Sequence, residues 1–399
     1  MLTLDRIYHA AYILKPVARK TDLIYAANLS KDGKSIWLKT ENLQLTGSFK
    51  LRGAYYKISQ LGEAQRAAGI IACSAGNHAQ GVALAATRMG IKSIVCMPDG
   101  APISKVEATK ALGAEVCLVK GAYDDAYQHA VKLQEETGMT FIHPFNDEEV
   151  IAGQGTIGLE ILDQLSDVDT VFVPIGGGGL ISGVAFAIKS LAPNVQVIGV
   201  QAENAPGMAE SLKQGAPVTL ETVRTFADGI AVKHPGDITF DLVSRYVDRV
   251  VTVTEDEIAA AILALIEKQK VIAEGAGAVS VAAALFDKVP IEGKKAVCLV
   301  SGGNIDVNIL SRVITRGLIT AGRNATLQIA LEDKPGQLVG VARIVSECGA
   351  NVVRVDHGSS DPSTPITSCM LTIGMETRDF AQIEEIRRKL KAAGFRIVN

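Results

Sequence analysis

Between Ile70 and Gly303 the chain alternates two textures. Short apolar, β-branched runs (GIIACSA, KSIVCMP, AEVCLVK, MTFIHPF, DTVFVPI, VQVIGVQ and KAVCLVS) are separated by longer stretches with apolar residues at helical spacing, such as HAQGVALAATRMG, KVEATKALG and DAYQHAVKLQEETG. Unbroken apolar runs of strand length suit strands buried on both faces, and the helical stretches supply the crossovers that parallel strands need. The pattern predicts an α/β fold of repeated βαβ units with ligands bound beyond the carboxyl ends of the strands. After about Arg323 the texture changes. The remainder reads strand, helix, strand, strand, helix, strand, a ferredoxin-like α+β order, with DPSTPITS as the turn or hairpin loop between the middle strands. A domain boundary is expected there, dividing residues 1–322 from 323–399.

Composition agrees with more than one core. The chain has 399 residues and 48% hydrophobic content, whereas single cores stop growing at about 250–300 residues. A net charge of -3 provides no basic face of the kind that phosphate backbones or anionic lipids require, so neither nucleic acid nor membrane is an expected partner. The first residues, MLTLDRIYHAAYILKPVARKT, place Asp5 and Arg6 where a secretory signal needs an uninterrupted apolar core. No later apolar run reaches about 18 uncharged residues, and a cytoplasmic location is expected. The cysteines, Cys73, Cys96, Cys117, Cys298, Cys348 and Cys369, are scattered without a CxxC pair or a His/Cys metal spacing. They read as reduced, with core packing as the role of those in apolar runs.

Four segments carry candidate chemistry. Ile175-Gly176-Gly177-Gly178-Gly179-Leu180-Ile181-Ser182 follows the strand DTVFVP and precedes a helical stretch. Glycines there let backbone amides converge on phosphate oxygens, with the positive end of the helix behind them, although a tight packing turn is the plainer alternative. The lysine of a nucleotide-triphosphate loop is missing. Lys50, in GSFKLRGA, is either a solvated charge or an amine able to bond an aldehyde and act as a base; beside a phosphate cradle it suggests a phosphorylated aldehyde cofactor. Ser74-Ala75-Gly76-Asn77-His78-Ala79-Gln80-Gly81 opens a helix after the strand GIIAC and could hold a carboxylate, or Ser74 could only cap the helix while His78 packs. Ser301, in VSGGN after the strand AVCLV, is a hydrogen-bonding hydroxyl or part of a strand-ending turn.

In this order and spacing, GSFKLRGA, SAGNHAQG, GGGGL and SGGN resemble the fold-type II pyridoxal-phosphate enzymes, and among them the threonine and serine dehydratases, over about residues 1–320. The resemblance implies a tryptophan synthase β-like catalytic domain of two parallel-sheet subdomains, the smaller spanning about residues 45–150. It implies pyridoxal 5'-phosphate as cofactor, Lys50 bonded to its aldehyde carbon, Phe49 against its ring and Asn77 at its 3'-oxygen. Gly176, Gly177, Gly178, Gly179 and Leu180 would hold its phosphate and Ser301 would meet its ring nitrogen. The loop Ser74, Ala75, Gly76, Asn77 and His78 would bind the substrate, with the carboxylate at Ser74 and Gly76. The tail resembles an ACT regulatory domain: its DxPGxL motif stands here as Asp333-Lys334-Pro335-Gly336-Gln337-Leu338, giving Asp333, Gly336 and Leu338 as candidate effector contacts for isoleucine or valine.

The implied activity is elimination of water from L-threonine, and from L-serine, followed by hydrolysis to a 2-oxo acid and ammonia, with Lys50 as the base at Cα and isoleucine biosynthesis as one setting. Ser301 is neutral and cannot hold a ring nitrogen protonated, which favours prompt loss of the β-hydroxyl. Two departures from related serine racemases are visible. Ala75 stands where those enzymes have an acid–base serine, and Ala209 replaces an acidic ligand of a cation site matching Glu203, Gly207 and Ala209. No divalent metal is therefore expected, although a monovalent cation at Glu203 and nearby carbonyls stays open. A β-replacement enzyme of the cysteine synthase type and a non-catalytic amino-acid sensor are the alternatives. A homotetramer is the assembly the resemblance implies.

Overall fold

A computed structural model describes residues 1–358 and 367–398. The chain divides into two compact units, Met1–Asp306 and Val307–Asn399, so the helix Val307–Thr320 falls with the second.

The first unit holds two sheets. The larger runs Leu23–Tyr25, Ser35–Lys39, Lys295–Leu299, Thr170–Pro174, Gln196–Ala202, Arg249–Val253 from edge to edge; its first pair is antiparallel and the rest parallel. The smaller, all parallel, runs Glu115–Val119, Ser93–Pro98, Ile70–Cys73, Thr140–Phe141. Every apolar run read from the sequence is a strand, and the helices Asn77–Arg88, Ile103–Ala111 and Tyr123–Thr137 supply crossovers between the smaller sheet's strands. Strands Ile70–Cys73 and Thr170–Pro174 are buried at every position, as parallel strands covered by helices on both faces must be. Three strands escape the sequence pattern: Leu23–Tyr25, Ser35–Lys39 and Arg249–Val253, the last a half-buried edge. Conversely, the MTFIHPF run gives a strand of only two residues, Thr140–Phe141, because the chain then turns into the cavity at His143 and Pro144.

Two helices pack closely enough to need glycine. A Cβ on Gly53 of helix Lys50–Ser59 would sit 2.7 Å from the Val150 carbonyl oxygen, and one on Gly153 of helix Glu148–Gln164 would sit 2.6 Å from that of Arg52. The missing side chains let the backbones touch, fixing where helix Lys50–Ser59 begins.

In the second unit the sheet order is Asn351–Gly358, Ser368–Glu376, Asn324–Glu332, Arg396–Ile397, entirely antiparallel, with helices Gln337–Glu347 and Phe380–Ala392 in the connections. This is the expected ferredoxin-like order. Residues 361–366 of the expected DPSTPITS link lie outside the described residues. Among the described residues no helix is long and apolar enough to cross a membrane. All six cysteines are free. Burial pushes the Cys73 and Cys96 thiols up to about 12, which keeps them protonated and favours core packing over nucleophilic chemistry.

Candidate active site

A cavity of about 750 Å³ opens beyond the carboxyl ends of the strands in the first unit. It is lined by Phe49, Lys50, the loop Ser74 to His78, Gly176 to Gly179, Leu180 and Ser301, so one space gathers every cofactor and substrate candidate of the sequence reading. Asp333, Gly336 and Leu338 lie in the second unit, where Gly336, at φ +93°, precedes helix Gln337–Glu347.

Lys50 opens helix Lys50–Ser59, and its Nζ donates to the Pro144 carbonyl at 2.9 Å. Burial lowers its pKa to about 8 against the opposing charge of Glu274, so the neutral amine is far more accessible near neutral pH than in an ordinary lysine, at roughly a tenth of the population at pH 7. The helix start is held by a buried ion cluster. Arg52, 1% exposed, donates through Nε to Glu41 at 2.8 Å and through Nη1 to Glu160 at 2.6 Å, and Lys39 donates to Glu160 at 2.6 Å.

The glycine loop is shaped by its lack of side chains. Gly178 has φ +97°, and a Cβ on Gly177 would come within 2.5 Å of the Phe145 ring. Behind it, helix Gly179–Leu191 presents first-turn amides that have no carbonyl partner within the helix. The loop therefore offers the backbone N–H groups and dipole end that a phosphate needs. Thr239 Oγ1 donates to the Gly177 carbonyl at 2.6 Å and steadies the turn.

Across the cavity, Ser74 Oγ accepts from the Gly76 amide at 3.1 Å, forming a tight loop before helix Asn77–Arg88. No atom lies within 4 Å of a Cβ built on Gly76, which leaves room for a ligand. Asn77 is held at both ends of its amide: Nδ2 donates to Glu274 Oε1 at 2.6 Å, and Oδ1 accepts from Asn304 Nδ2 at 2.8 Å. His78 places Nε2 2.8 Å from the Ile142 carbonyl, and burial together with the charge of Lys50 pushes its pKa down to about 3. It is a neutral N–H donor to backbone, a packing role alongside its place in the wall. Ser301 Oγ lies 3.4 Å from the Ala276 carbonyl, a long contact that leaves the hydroxyl available.

Several residues of the cavity escaped the sequence reading. His143 accepts at Nδ1 from the amides of Asn146 (2.8 Å) and Phe145 (3.2 Å); burial and Lys50 pull its pKa to about 4, so its proton sits on Nε2. Lys105 and Asp228 form an ion pair at the wall. Glu274 is 3% exposed; burial and Asp228 raise its pKa to about 7, although Asn77, Lys105 and Lys50 oppose the shift. The available signal for Glu274 was one acidic residue in the otherwise small and apolar stretch VIAEGAGAVSVAAAL.

A buried amine, a glycine cradle at a helix start, a clamped amide and a neutral hydroxyl in one cavity fit a phosphorylated pyridine aldehyde. Residues 14–302 match the family model described as pyridoxal-phosphate dependent enzyme, and the chain belongs to that family. Its relatives include the L-threonine ammonia-lyase of Thermotoga maritima, 53% identical over 398 residues covering 100% of this chain and 99% of that protein. The L-threonine ammonia-lyase of Geobacter sulfurreducens is 46% identical over 396 residues, 99% of this chain and 98% of that protein. Among solved structures, the processed form of threonine deaminase isoform 2 from Solanum lycopersicum matches with TM-score 0.74 and 41% identity, over 78% of this chain and 93% of that one. Maize serine racemase matches with TM-score 0.75 and 36% identity, over 80% and 98%.

Proposed function

We propose that this chain is an L-threonine ammonia-lyase, converting L-threonine to 2-oxobutanoate and ammonia and L-serine to pyruvate and ammonia. The observation that carries the reading is full-length likeness to two L-threonine ammonia-lyases in a chain whose buried Lys50 amine shares one cavity with the glycine loop.

Lys50 would hold the cofactor at its aldehyde carbon, Asn77 its ring oxygen, Gly176 to Gly179 and Leu180 its phosphate, Ser301 its ring nitrogen, and Phe49 would pack on the ring. When bound, the cofactor supplies an electron sink for charge developing at the substrate's Cα. The loop from Ser74 to His78 receives the substrate carboxylate through its amides and the Ser74 hydroxyl. Lys50 Nζ, freed by the incoming amino group, takes the Cα proton; a pKa of about 8 suits a general base near neutral pH. Ser301 would meet the ring nitrogen with a neutral hydroxyl, which favours departure of the β-hydroxyl, leaving as water with a proton returned from the Lys50 ammonium. The resulting enamine tautomerises in water and hydrolyses, giving the 2-oxo acid and ammonia.

The test is direct. Wild-type protein should release 2-oxobutanoate and ammonia in equal amounts from L-threonine, while Lys50→Ala should lose both turnover and the visible absorbance of the bound cofactor with its circular dichroism unchanged. Release by Lys50→Ala near the wild-type rate would remove Lys50 from the mechanism, and no release by the wild type would overturn the reaction. The second unit we read as an effector domain for isoleucine or valine with Asp333, Gly336 and Leu338 at its site, and the assembly as a cytoplasmic homotetramer, which light-scattering mass would test.

A further inference from the structure

Glu274 stands at the N-cap position of helix Gly275–Leu285, yet its side chain makes no capping hydrogen bond to that helix. It turns instead into the cavity, where its Oε1 accepts from Asn77 Nδ2 at 2.6 Å. The backbone is committed to this placement: the Glu274 amide donates to the Gly302 carbonyl at 3.1 Å, and a Cβ on Gly277 would stand 2.2 Å from that same oxygen. Glycines bracket the pair on two sides. A Cβ on Gly302 would lie 2.2 Å from Glu274 Oε1 and 3.2 Å from Asn77 Nδ2, and one on Gly229 would lie 3.4 Å from the same carboxylate oxygen. A larger residue at position 302 would displace the carboxylate.

An amide side chain has one acceptor oxygen and two N–H donors. Asn304 Nδ2 occupies the Asn77 oxygen at 2.8 Å while also lying 2.7 Å from the Thr46 carbonyl, and Glu274 occupies one Asn77 donor. One N–H remains for the cavity that Asn77 lines. Were the amide turned over, its oxygen would face the Glu274 carboxylate and its NH₂ would face the NH₂ of Asn304; both contacts would be repulsive. In its ionised form the carboxylate is the stronger of the two constraints, because hydrogen bonds to charged groups outweigh neutral ones.

We infer that Glu274 is a positioning residue: its carboxylate sets the orientation of the Asn77 amide and so aims the remaining N–H at the ring oxygen of the bound cofactor. The inference rests on the cofactor reading above and assigns Glu274 no contact with substrate. The charged groups facing it are Lys50, Lys105 and Asp228. Acceptor capacity at Oε1 is what the role requires, so glutamine, which keeps a carbonyl oxygen there, should fulfil it.

The experiment titrates pyridoxal 5'-phosphate into the cofactor-depleted full chain and follows the visible band. Glu274→Ala should weaken binding about tenfold to a hundredfold and displace the band maximum, since a hydrogen bond to a charged acceptor is lost. Glu274→Gln should restore most of the affinity and the wild-type maximum. In an Asn77→Ala background, Glu274→Ala should add little further loss, because the residue through which it acts is gone. Glu274→Leu, which fills similar space without an acceptor, stands in where Glu274→Ala fails to fold. Wild-type affinity in the acceptor-free variants, glutamine no better than alanine, or fully additive losses with Asn77→Ala would each overturn the inference. A wild-type chain that binds no cofactor would instead overturn the cofactor site itself.

Discussion

Ala75 lines the cavity with a methyl group, beside the loop proposed to hold the substrate carboxylate. It has no proton to give to the face of Cα opposite Lys50, so with L-serine elimination should far outrun inversion. Chiral analysis of the amino acid left after partial turnover checks this, and D-serine forming as fast as pyruvate would refute it. Glu274 makes a second prediction at this scale. Its folded pKa of about 7 lies above the ordinary 4.5, so the apoprotein gains its stability contribution fully below pH about 4.5 and loses it as pH rises through about 7. The difference amounts to about 3 kcal/mol. Relative to wild type, cofactor-free Glu274→Gln should therefore gain stability between pH 5 and 8 in denaturant titrations; parallel profiles would contradict the buried, protonatable carboxyl. His78 has the opposite sign: with a folded pKa near 3, it favours the fold above the ordinary 6.5 and withdraws that support as pH falls.

Among the elements, the glycine loop and the helix that starts at Lys50 have different vulnerabilities. Gly178 combines φ +97° with a Cβ position only 2.8 Å from Thr239 Cβ. Alanine there pays the left-handed penalty of about 1–2 kcal/mol and meets a buried neighbour besides. Gly178→Ala should raise the cofactor dissociation constant at least about tenfold while Lys50 stays in place; unchanged binding would show that the loop does not hold the phosphate. Arg52 tests the other element. It joins Glu41 to Glu160, and removing it leaves the fully buried Glu41 carboxylate without its cation, while Glu160 keeps Lys39. Arg52→Ala should cost about 3–5 kcal/mol in denaturant unfolding, with loss of cofactor affinity as the Lys50 segment loosens.

For the whole molecule, the question is what the second unit does. Its DKPGQL turn puts Gly336, in the left-handed region at φ +93°, ahead of helix Gln337–Glu347, whose first amides suit a carboxylate, while Leu338 packs against that unit's own core. All cavity residues lie before position 307. A chain ending after Arg323 should thus retain threonine turnover but lose its response to isoleucine or valine, a coupling typically worth about 1–3 kcal/mol. Titrating both amino acids against the intact and shortened chains at subsaturating threonine decides the matter; equal responses would remove the second unit from the regulatory account.

Local order carried far. The apolar runs Ile70–Cys73, Ser93–Pro98 and Thr170–Pro174, the glycines 176 to 179 and the segment around Lys50 are signals made by adjacent residues, and the sequence alone determined the α/β layout, the ferredoxin-like tail and those parts of the cavity that are contiguous motifs. The tertiary structure decided the rest. Glu274 lies 197 residues from Asn77 along the chain, Asn304 lies 227 away, and Glu160 lies 108 from Arg52. No periodicity links residues so far apart. Their partnership, and the shifted protonation of Lys50 and Glu274, comes from burial in one low-dielectric space, a property that exists only once the sheets and helices have closed around it.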